Sequence, residues 1–120
     1  MQNEMGLHML RFVILEHDHP VLHWDLMLEA GDVLRTWRLA EPPTGQTFAI
    51  AAESLPDHRL AYLEYEGPVS GNRGSVKRWD HGVFEEIETG VWRFNGQILN
   101  GIVRMECVDG ESWRFLRESM

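Results

Sequence analysis

The sequence predicts an all-β fold, a single small β-barrel of short antiparallel strands with little helix. Two observations support this prediction. Short stretches of alternating or β-rich sequence recur along the chain, and turn signals separate them about every 8–12 residues, as in sandwiches and barrels. Helical periodicity is nearly absent, since only residues 51–54 could form a single helical turn. With 120 residues and no linker, repeat or low-complexity tract, the chain is predicted to form one domain over residues 1–120.

Each predicted strand is identified by a run of β-forming residues or by a period of two. The clearest is the stretch 22–29, in which Leu22, Trp24 and Leu26 alternate with polar side chains. The apolar run at 10–15 is β-rich throughout. The strand signal at 48–52 is weaker than the one at 60–65. In chain order, the predicted strands are 10–15, 22–29, 33–39, 48–52, 60–65, 75–79 and 113–116.

Turn residues separate these strands. The Asn-Gly pair at 95–96 and the Asp-Gly pair at 109–110 suit type I′ hairpins, because both central residues can take positive φ. The paired prolines at 42–43 exclude a strand there, since proline cannot donate to a sheet ladder. In chain order, the predicted turns and loops are 30–32, 41–45, 71–74, 80–82, 95–96 and 109–110.

Composition and charge limit the possible classes of protein. One cysteine excludes an internal disulfide, so we expect a reducing, cytoplasmic compartment, with Cys107 itself as a small core residue. Residues 1–5 show no signal-peptide pattern, and no apolar run reaches the roughly 18 residues of a membrane span. The formal charge of −8 repels polyanions, so any nucleic-acid role requires a local site or a metal.

The most reactive side chains cluster around the second predicted strand. His23 and Asp25 are two residues apart and therefore share a face, and a turn centred on His19 could fold His17 back beside them. Two imidazoles and one carboxylate leave coordination positions open, as in a catalytic metal site. Glu29 could orient one of these ligands by a hydrogen bond. Two alternatives stay open: a chelating pair of His17 and His19, or ordinary polar residues on a solvated strand face.

This stretch resembles a known family. His17-Asp18, Leu22-His23-Trp24-Asp25 and Leu28-Glu29 have the order and spacing found in the 3′-phosphoesterase domain of bacterial DNA ligase D. The resemblance continues in order along nearly the whole chain. It includes the segments 33–37, 57–62, 65–67, 79–82, 95–101 and Trp113.

The resemblance implies a compact β-barrel that removes a 3′-terminal ribonucleotide or a 3′-phosphate from DNA. It assigns His17, His23 and Asp25 as ligands of manganese, with zinc as the alternative. It also assigns His58 and Tyr62 to the phosphate site, and their four-residue step would place them on one strand face. The expected partners are a DNA 3′ end or a related phosphoester and a separately encoded repair ligase or polymerase, with the chain as a monomer and no membrane.

Three departures from the family pattern remove basic residues. Met27 stands where the family has an arginine two residues after the metal-binding aspartate, and Glu41 lies near the position of a family lysine. The stretch 49–52 contains no counterpart of an arginine that the family carries upstream of the phosphate-site histidine. At the position of Met27 an arginine guanidinium could bind a phosphate, and methionine cannot.

These departures leave two functions open. One is a metal-dependent phosphoesterase with weak activity, in which Met27→Arg would add a guanidinium beside the metal and increase turnover. Arg11, Arg35 and Arg38 are the candidates to compensate for the missing charges. The other is a catalytically silent, metal-binding barrel that serves as a binding module in a repair assembly.

Overall fold

The protein is described by a computed structural model that covers residues 9–118. Residues 1–5, which show no signal-peptide pattern in the sequence, lie outside the described part. In chain order, the strands are β1 (Leu10–His17), β2 (His23–Ala30), β3 (Val33–Leu39), β4 (Phe48–Arg59), β5 (Gly67–Pro68), β6 (Ser75–Glu88), β7 (Val91–Gly96), β8 (Asn100–Asp109) and β9 (Ser112–Arg117). A 3₁₀ helix at Leu60–Leu63 follows β4.

Antiparallel pairing closes the sheet into a barrel. The neighbours run in the order β1-β2-β3-β4-β9-β8-β7-β6, and β1 pairs again with β6, so eight strands form a closed ring. The two-residue strand β5 pairs with β6 beside this ring. Closure leaves the eight strands without an open edge. The prediction of an all-β barrel with little helix is confirmed. Among residues 9–118, no helix is long and apolar enough to cross a membrane.

The inner face of the barrel carries the main hydrophobic core. Side chains alternate across a strand, so every second residue of each strand points inward. In β2 the inward residues Leu26 and Leu28 are fully buried, and Trp24 packs against the same core. The buried members of this core are Phe12, Ile14, Leu26, Leu28, Trp37, Leu39, Ile50, Ala52, Phe84, Trp92, Phe94, Leu99, Val103, Met105 and Phe115.

A second, smaller apolar cluster lies on the outer face of β1, β2 and β3. It consists of the buried residues Val13, Leu15, Met27, Leu34, Leu63 and Val76, with Leu60, Tyr62 and Val69 packed against it. Several of these residues belong to the stretch 60–74, which we call the covering segment. Because this segment lies over the outer face, β1 and β2 are buried on both sides.

Two of the predicted elements around β4 are wrong. Residues 60–65 do not form a strand, because Leu60–Leu63 forms the 3₁₀ helix. Residues three apart align on a 3₁₀ helix, so Leu60 and Leu63 both pack against the outer cluster, which a strand would not allow. Residues 51–54, where a helical turn was possible, instead belong to β4, which extends to Arg59.

The predicted turn at 80–82 and the predicted burial of Cys107 are also wrong. Residues 80–82 lie inside β6, where Gly82 allows a close approach of β7: a Cβ there would lie 2.2 Å from the carbonyl oxygen of Asn95. Cys107 is exposed. It continues the inward alternation of Met105, but it lies near the end of β8, beyond the packed core.

The carboxylate of Asp80 organises the turn between β7 and β8. Asp80 is buried, and its Oδ1 accepts hydrogen bonds from the backbone amides of His81 (2.8 Å), Gln97 (2.8 Å) and Ile98 (3.1 Å). Its Oδ2 accepts a fourth bond from the amide of Leu99, at 2.7 Å. The turn predicted at 95–96 is therefore displaced to 97–99, where the backbone amides converge on this carboxylate.

We expect Asp80→Asn to destabilise the fold by about 2–4 kcal/mol, because an asparagine amide cannot accept bonds at both of its terminal atoms and carries no charge. The measurement is the free energy of unfolding from urea titration. Asp109→Asn is the matched control, since Asp109 is exposed at the end of β8, directly before a turn, where asparagine is also suitable. Equal stability of the two variants would contradict the role assigned to Asp80.

Candidate metal centre

The structure brings His17, His23 and Asp25 together on the outer face of the barrel. His17 ends β1 and His23 begins β2, and the two residues are direct cross-strand partners. Nδ1 of His17 lies 3.5 Å from Oδ2 of Asp25, and Nε2 of His23 lies 3.3 Å from Oδ1. The three possible ligand atoms all lie within 4.8 Å of one another. His19 is not part of this group.

Each imidazole is held through its other ring nitrogen by a backbone carbonyl. Nε2 of His17 donates to the carbonyl of Arg73 at 2.8 Å, and Nδ1 of His23 donates to the carbonyl of Val21 at 2.8 Å. In the neutral rings, these bonds leave Nδ1 of His17 and Nε2 of His23 as acceptors that face Asp25. Carbonyl contacts of this kind fix the tautomer and the orientation of metal-binding histidines.

Two atoms of the group are buried without a hydrogen-bond partner: Nε2 of His23 and Oδ1 of Asp25. Both side chains are nearly inaccessible, with 3% and 4% of their residue surface exposed. The alternative of polar residues on a solvated strand face is therefore wrong. An unsatisfied buried polar group costs about 1–3 kcal/mol. Two imidazole nitrogens and one carboxylate oxygen that converge in this way fit a divalent cation.

The electrostatics of His23 favour a charged or metal-bound ring. Burial of the ring lowers its pKa, and the positive charge of Arg38 acts in the same direction. The carboxylate of Asp25 and the carbonyl of Val21 stabilise the protonated ring more strongly, so the pKa of His23 is raised above its ordinary value. A cation at this position would therefore compete with a proton for Nε2.

The loop before β6 holds the Arg73 carbonyl against His17. The amide of Ser75 donates to Oδ1 of Asp18 at 2.9 Å, which ties the loop to the end of β1. Gly74 has a φ of +72°, and a Cβ there would lie 2.2 Å from the same carboxylate oxygen, so only glycine fits. The sequence predicts a loop at 71–74, but nothing local to it indicates that its backbone orients His17.

Comparison with known proteins identifies the family of this chain. The sequence model of the DNA Ligase D 3′-phosphoesterase domain matches residues 15–112. The chain belongs to this family.

Relatives from two organisms show how much of a longer protein the family domain represents. The chain is 29% identical over 84 residues to the multifunctional non-homologous end joining protein LigD of Pseudomonas aeruginosa, a match over 67% of this chain and 10% of that protein. It is 29% identical over 114 residues to the multifunctional non-homologous end joining DNA repair protein LigD of Mycobacterium tuberculosis, over 85% of this chain and 15% of that protein. The chain therefore spans a small part of the length of these relatives.

The two residues assigned to the family's phosphate site lie beside each other. The ring centroids of His58 and Tyr62 are 5.7 Å apart. They do not share a strand face as predicted, because His58 lies in β4 and Tyr62 in the 3₁₀ helix. Nδ1 of His58 bonds with the carbonyl of Pro56 at 2.9 Å, and Tyr62 lines a separate cleft of about 220 Å³.

His58 shares the outer face with the histidine–aspartate group but lies further along the sheet. It pairs with Leu34 of β3, which pairs with Glu29 of β2. Glu29 is four residues beyond Asp25, a separation of about 13 Å at about 3.3 Å per residue. The structure thus gathers the site residues into two groups on one face, with the outer apolar cluster between them.

Met27 and Glu29 have surroundings that differ from the predicted ones. Met27 does point to the same face as Asp25, but it is 2% exposed and packed inside the outer apolar cluster. Glu29 does not orient a metal ligand, because its carboxylate accepts bonds from Nε (3.1 Å) and Nη2 (2.9 Å) of Arg11. These bonds lower the pKa of Glu29 below its ordinary value.

We expect Met27→Arg to destabilise the fold by at least about 3 kcal/mol, because it would bury an unpaired charge among apolar side chains. The burial of Met27 contradicts the expectation from the sequence that the new guanidinium would emerge beside the metal. Met27→Leu is the control, with an expected cost below about 1.5 kcal/mol. Urea titration measures both. A Met27→Arg protein as stable as Met27→Leu would show that the outer cluster opens at this position.

Proposed function

We propose that the domain is a metal-dependent phosphoesterase that acts on the 3′ ends of DNA and removes a 3′-terminal ribonucleotide or a 3′-phosphate in end repair. The observation that carries the proposal is the convergence of His17, His23 and Asp25, with both histidines oriented by backbone carbonyls. Membership of the family supports the choice of a 3′ end as substrate.

The proposed metal is manganese, with zinc as the alternative, because imidazole and carboxylate ligands suit both. Nδ1 of His17, Nε2 of His23 and the carboxylate of Asp25 would hold it. When bound, a divalent cation supplies Lewis-acid polarisation of a phosphoryl oxygen. Three protein ligands leave room in the coordination sphere for a substrate.

His58 and Tyr62 are the proposed catalytic pair. Because Nδ1 of His58 is engaged by Pro56, Nε2 is the atom available to stabilise charge or to protonate a leaving oxygen. The hydroxyl of Tyr62 would orient a phosphate by hydrogen bonding. For this step a single phosphate must contact both the metal and His58, so the two groups must approach each other across the outer face of the barrel when the substrate binds.

A second function is supported by the missing basic residues. Methionine is uncharged and glutamate is acidic, so neither the buried Met27 nor the exposed Glu41 supplies the positive charge found in the family. With a net charge of −8, such a domain could bind its metal without turnover and serve as a binding module. In either case we propose a cytoplasmic monomer that works with a separately encoded repair ligase or polymerase.

We expect manganese to raise the melting temperature, because a ligand that binds only the folded state stabilises it, by about 2.7 kcal/mol at 100 times its Kd. His23→Ala should abolish the shift. His81→Ala is the matched control, since the side chain of His81 is exposed and lies outside the three-residue group. A shift that survives His23→Ala would refute the ligand assignment.

The function itself is tested on a primer-template with a 3′-phosphate or a 3′-terminal ribonucleotide, with and without manganese. We expect slow trimming that requires manganese, is lost in His23→Ala and falls about 10²–10⁴-fold in His58→Ala. Metal binding and DNA-end binding without any trimming would instead establish the binding module. Trimming that is equally fast with a chelator present would refute metal dependence.

A further inference from the structure

Arg38 lies directly across from Asp25 on the neighbouring strand. The two residues are antiparallel partners in the β2–β3 register, so their side chains share the outer face. Cβ atoms of such partners are about 4.5–5.5 Å apart. Arg38 and His23 also line the same cleft. Arg38 therefore places a cation beside the proposed metal ligands.

The guanidinium of Arg38 is only loosely engaged. Its Nε is buried without a hydrogen-bond partner. Its Nη1 lies 3.7 Å from Oε1 of Glu53, beyond the roughly 3.2 Å of a hydrogen bond. The side chains of Arg38 and Glu53 are 38% and 51% exposed, so solvent weakens this pair. The guanidinium thus has donors to offer to an anion.

A cleft of about 360 Å³ opens beside this guanidinium. It is lined by the metal-ligand candidate His23 of β2, by Arg38 of the neighbouring strand β3 and by Glu53 of β4. Val21 and Leu22 form an apolar rim and are 69% and 53% exposed. Small-molecule sites begin at about 300 Å³ and combine apolar walls with a few polar groups, as this cleft does.

Arg11 and Arg35, the other two candidates to replace the missing basic residues, do not reach this cleft. Arg11 is bound by both carboxylate oxygens of Glu29. Arg35 points to the other face of β3, where its guanidinium carbon lies 5.0 Å from the ring centroid of Trp37.

We propose that Arg38 binds the phosphate of a 3′-terminal nucleotide seated in this cleft. It would supply from β3 the guanidinium that Met27 does not supply from β2. The planar fork of arginine matches two phosphate oxygens, and a phosphate would replace the distant carboxylate of Glu53 as its partner. The apolar rim would then contact the sugar or base. This inference rests on the proposed function, because it takes a DNA 3′ end as the ligand.

The test measures the binding of two DNA oligonucleotides by fluorescence anisotropy, with the full chain, manganese and constant salt. One oligonucleotide ends in a hydrolysis-resistant 3′-phosphonate and the other in a 3′-hydroxyl. Arg38→Gln should weaken binding of the phosphonate end about 10- to 100-fold and leave the hydroxyl end unchanged. Arg38→Lys should restore part of the loss. Arg35→Gln is the matched control and should bind both ends as the unchanged protein does.

Glu53→Gln separates ligand binding from a structural role. It breaks the same ion pair but keeps the guanidinium and removes a negative charge, so it should bind the phosphonate end more tightly. If Glu53→Gln weakens binding as Arg38→Gln does, the ion pair is structural and the inference is overturned. Equal affinities of Arg38→Gln and Arg35→Gln for the phosphonate end would also overturn it.

The same measurements distinguish this inference from the proposed function. If the unchanged protein is stabilised by manganese and prefers the phosphonate end while Arg38→Gln has no effect, the function stands and the role of Arg38 fails. If the unchanged protein shows neither manganese stabilisation nor a preference for the phosphonate end, the proposed function fails and the role of Arg38 fails with it.

Discussion

The hydrogen bond from Nε2 of His17 to the carbonyl of Arg73 joins the barrel wall to the segment that covers it. It connects residues 56 positions apart in the sequence. Gly74, which approaches Asp18 too closely for any side chain, keeps the loop in place. Without this cover, the outer ends of β1 and β2 would face water, and their polar residues would be hydrated. With it, Asp25 is buried, and its Oδ1 and Nε2 of His23 have no hydrogen-bond partner, which favours a cation between them.

On the outer face of β2, the polar residues at the start of the strand are followed by the apolar Met27. His23 and Asp25 lie at the end near Arg73, whereas Met27 belongs to the outer apolar cluster together with Leu63 of the covering segment. The boundary falls between Asp25 and Met27, which are adjacent on the outer face. A cation from β2 at the Met27 position would have to displace apolar contacts. A cation from β3 at the position of Arg38 lies outside the apolar cluster and next to an open cleft.

Local patterns predicted the elements whose structure is decided locally. The period of two at 22–29 correctly predicted a strand with His23 and Asp25 on one face, because alternation is a property of any extended chain. The bounds of β3 followed from the turn before it and the prolines after it. The strand at 60–65 and the turn at 80–82 were wrong because contacts from elsewhere decide them. Leu60 and Leu63 pack onto the outer cluster, and residues 80–82 are held in β6 by its pairing with β1 and β7.

The sequence by itself determined the family, the all-β class and the residue types of the candidate site, because motif order and alternation can be read along the chain. Only the tertiary structure decided that Met27 is buried and that Arg38 faces Asp25, and it brings His17, not His19, beside Asp25. Each of these facts depends on strand register or on a segment that folds back from a distant part of the chain. Neither is encoded in local spacing. Strand register and the packing of the covering segment arise only when separate strands and loops bury their apolar faces together.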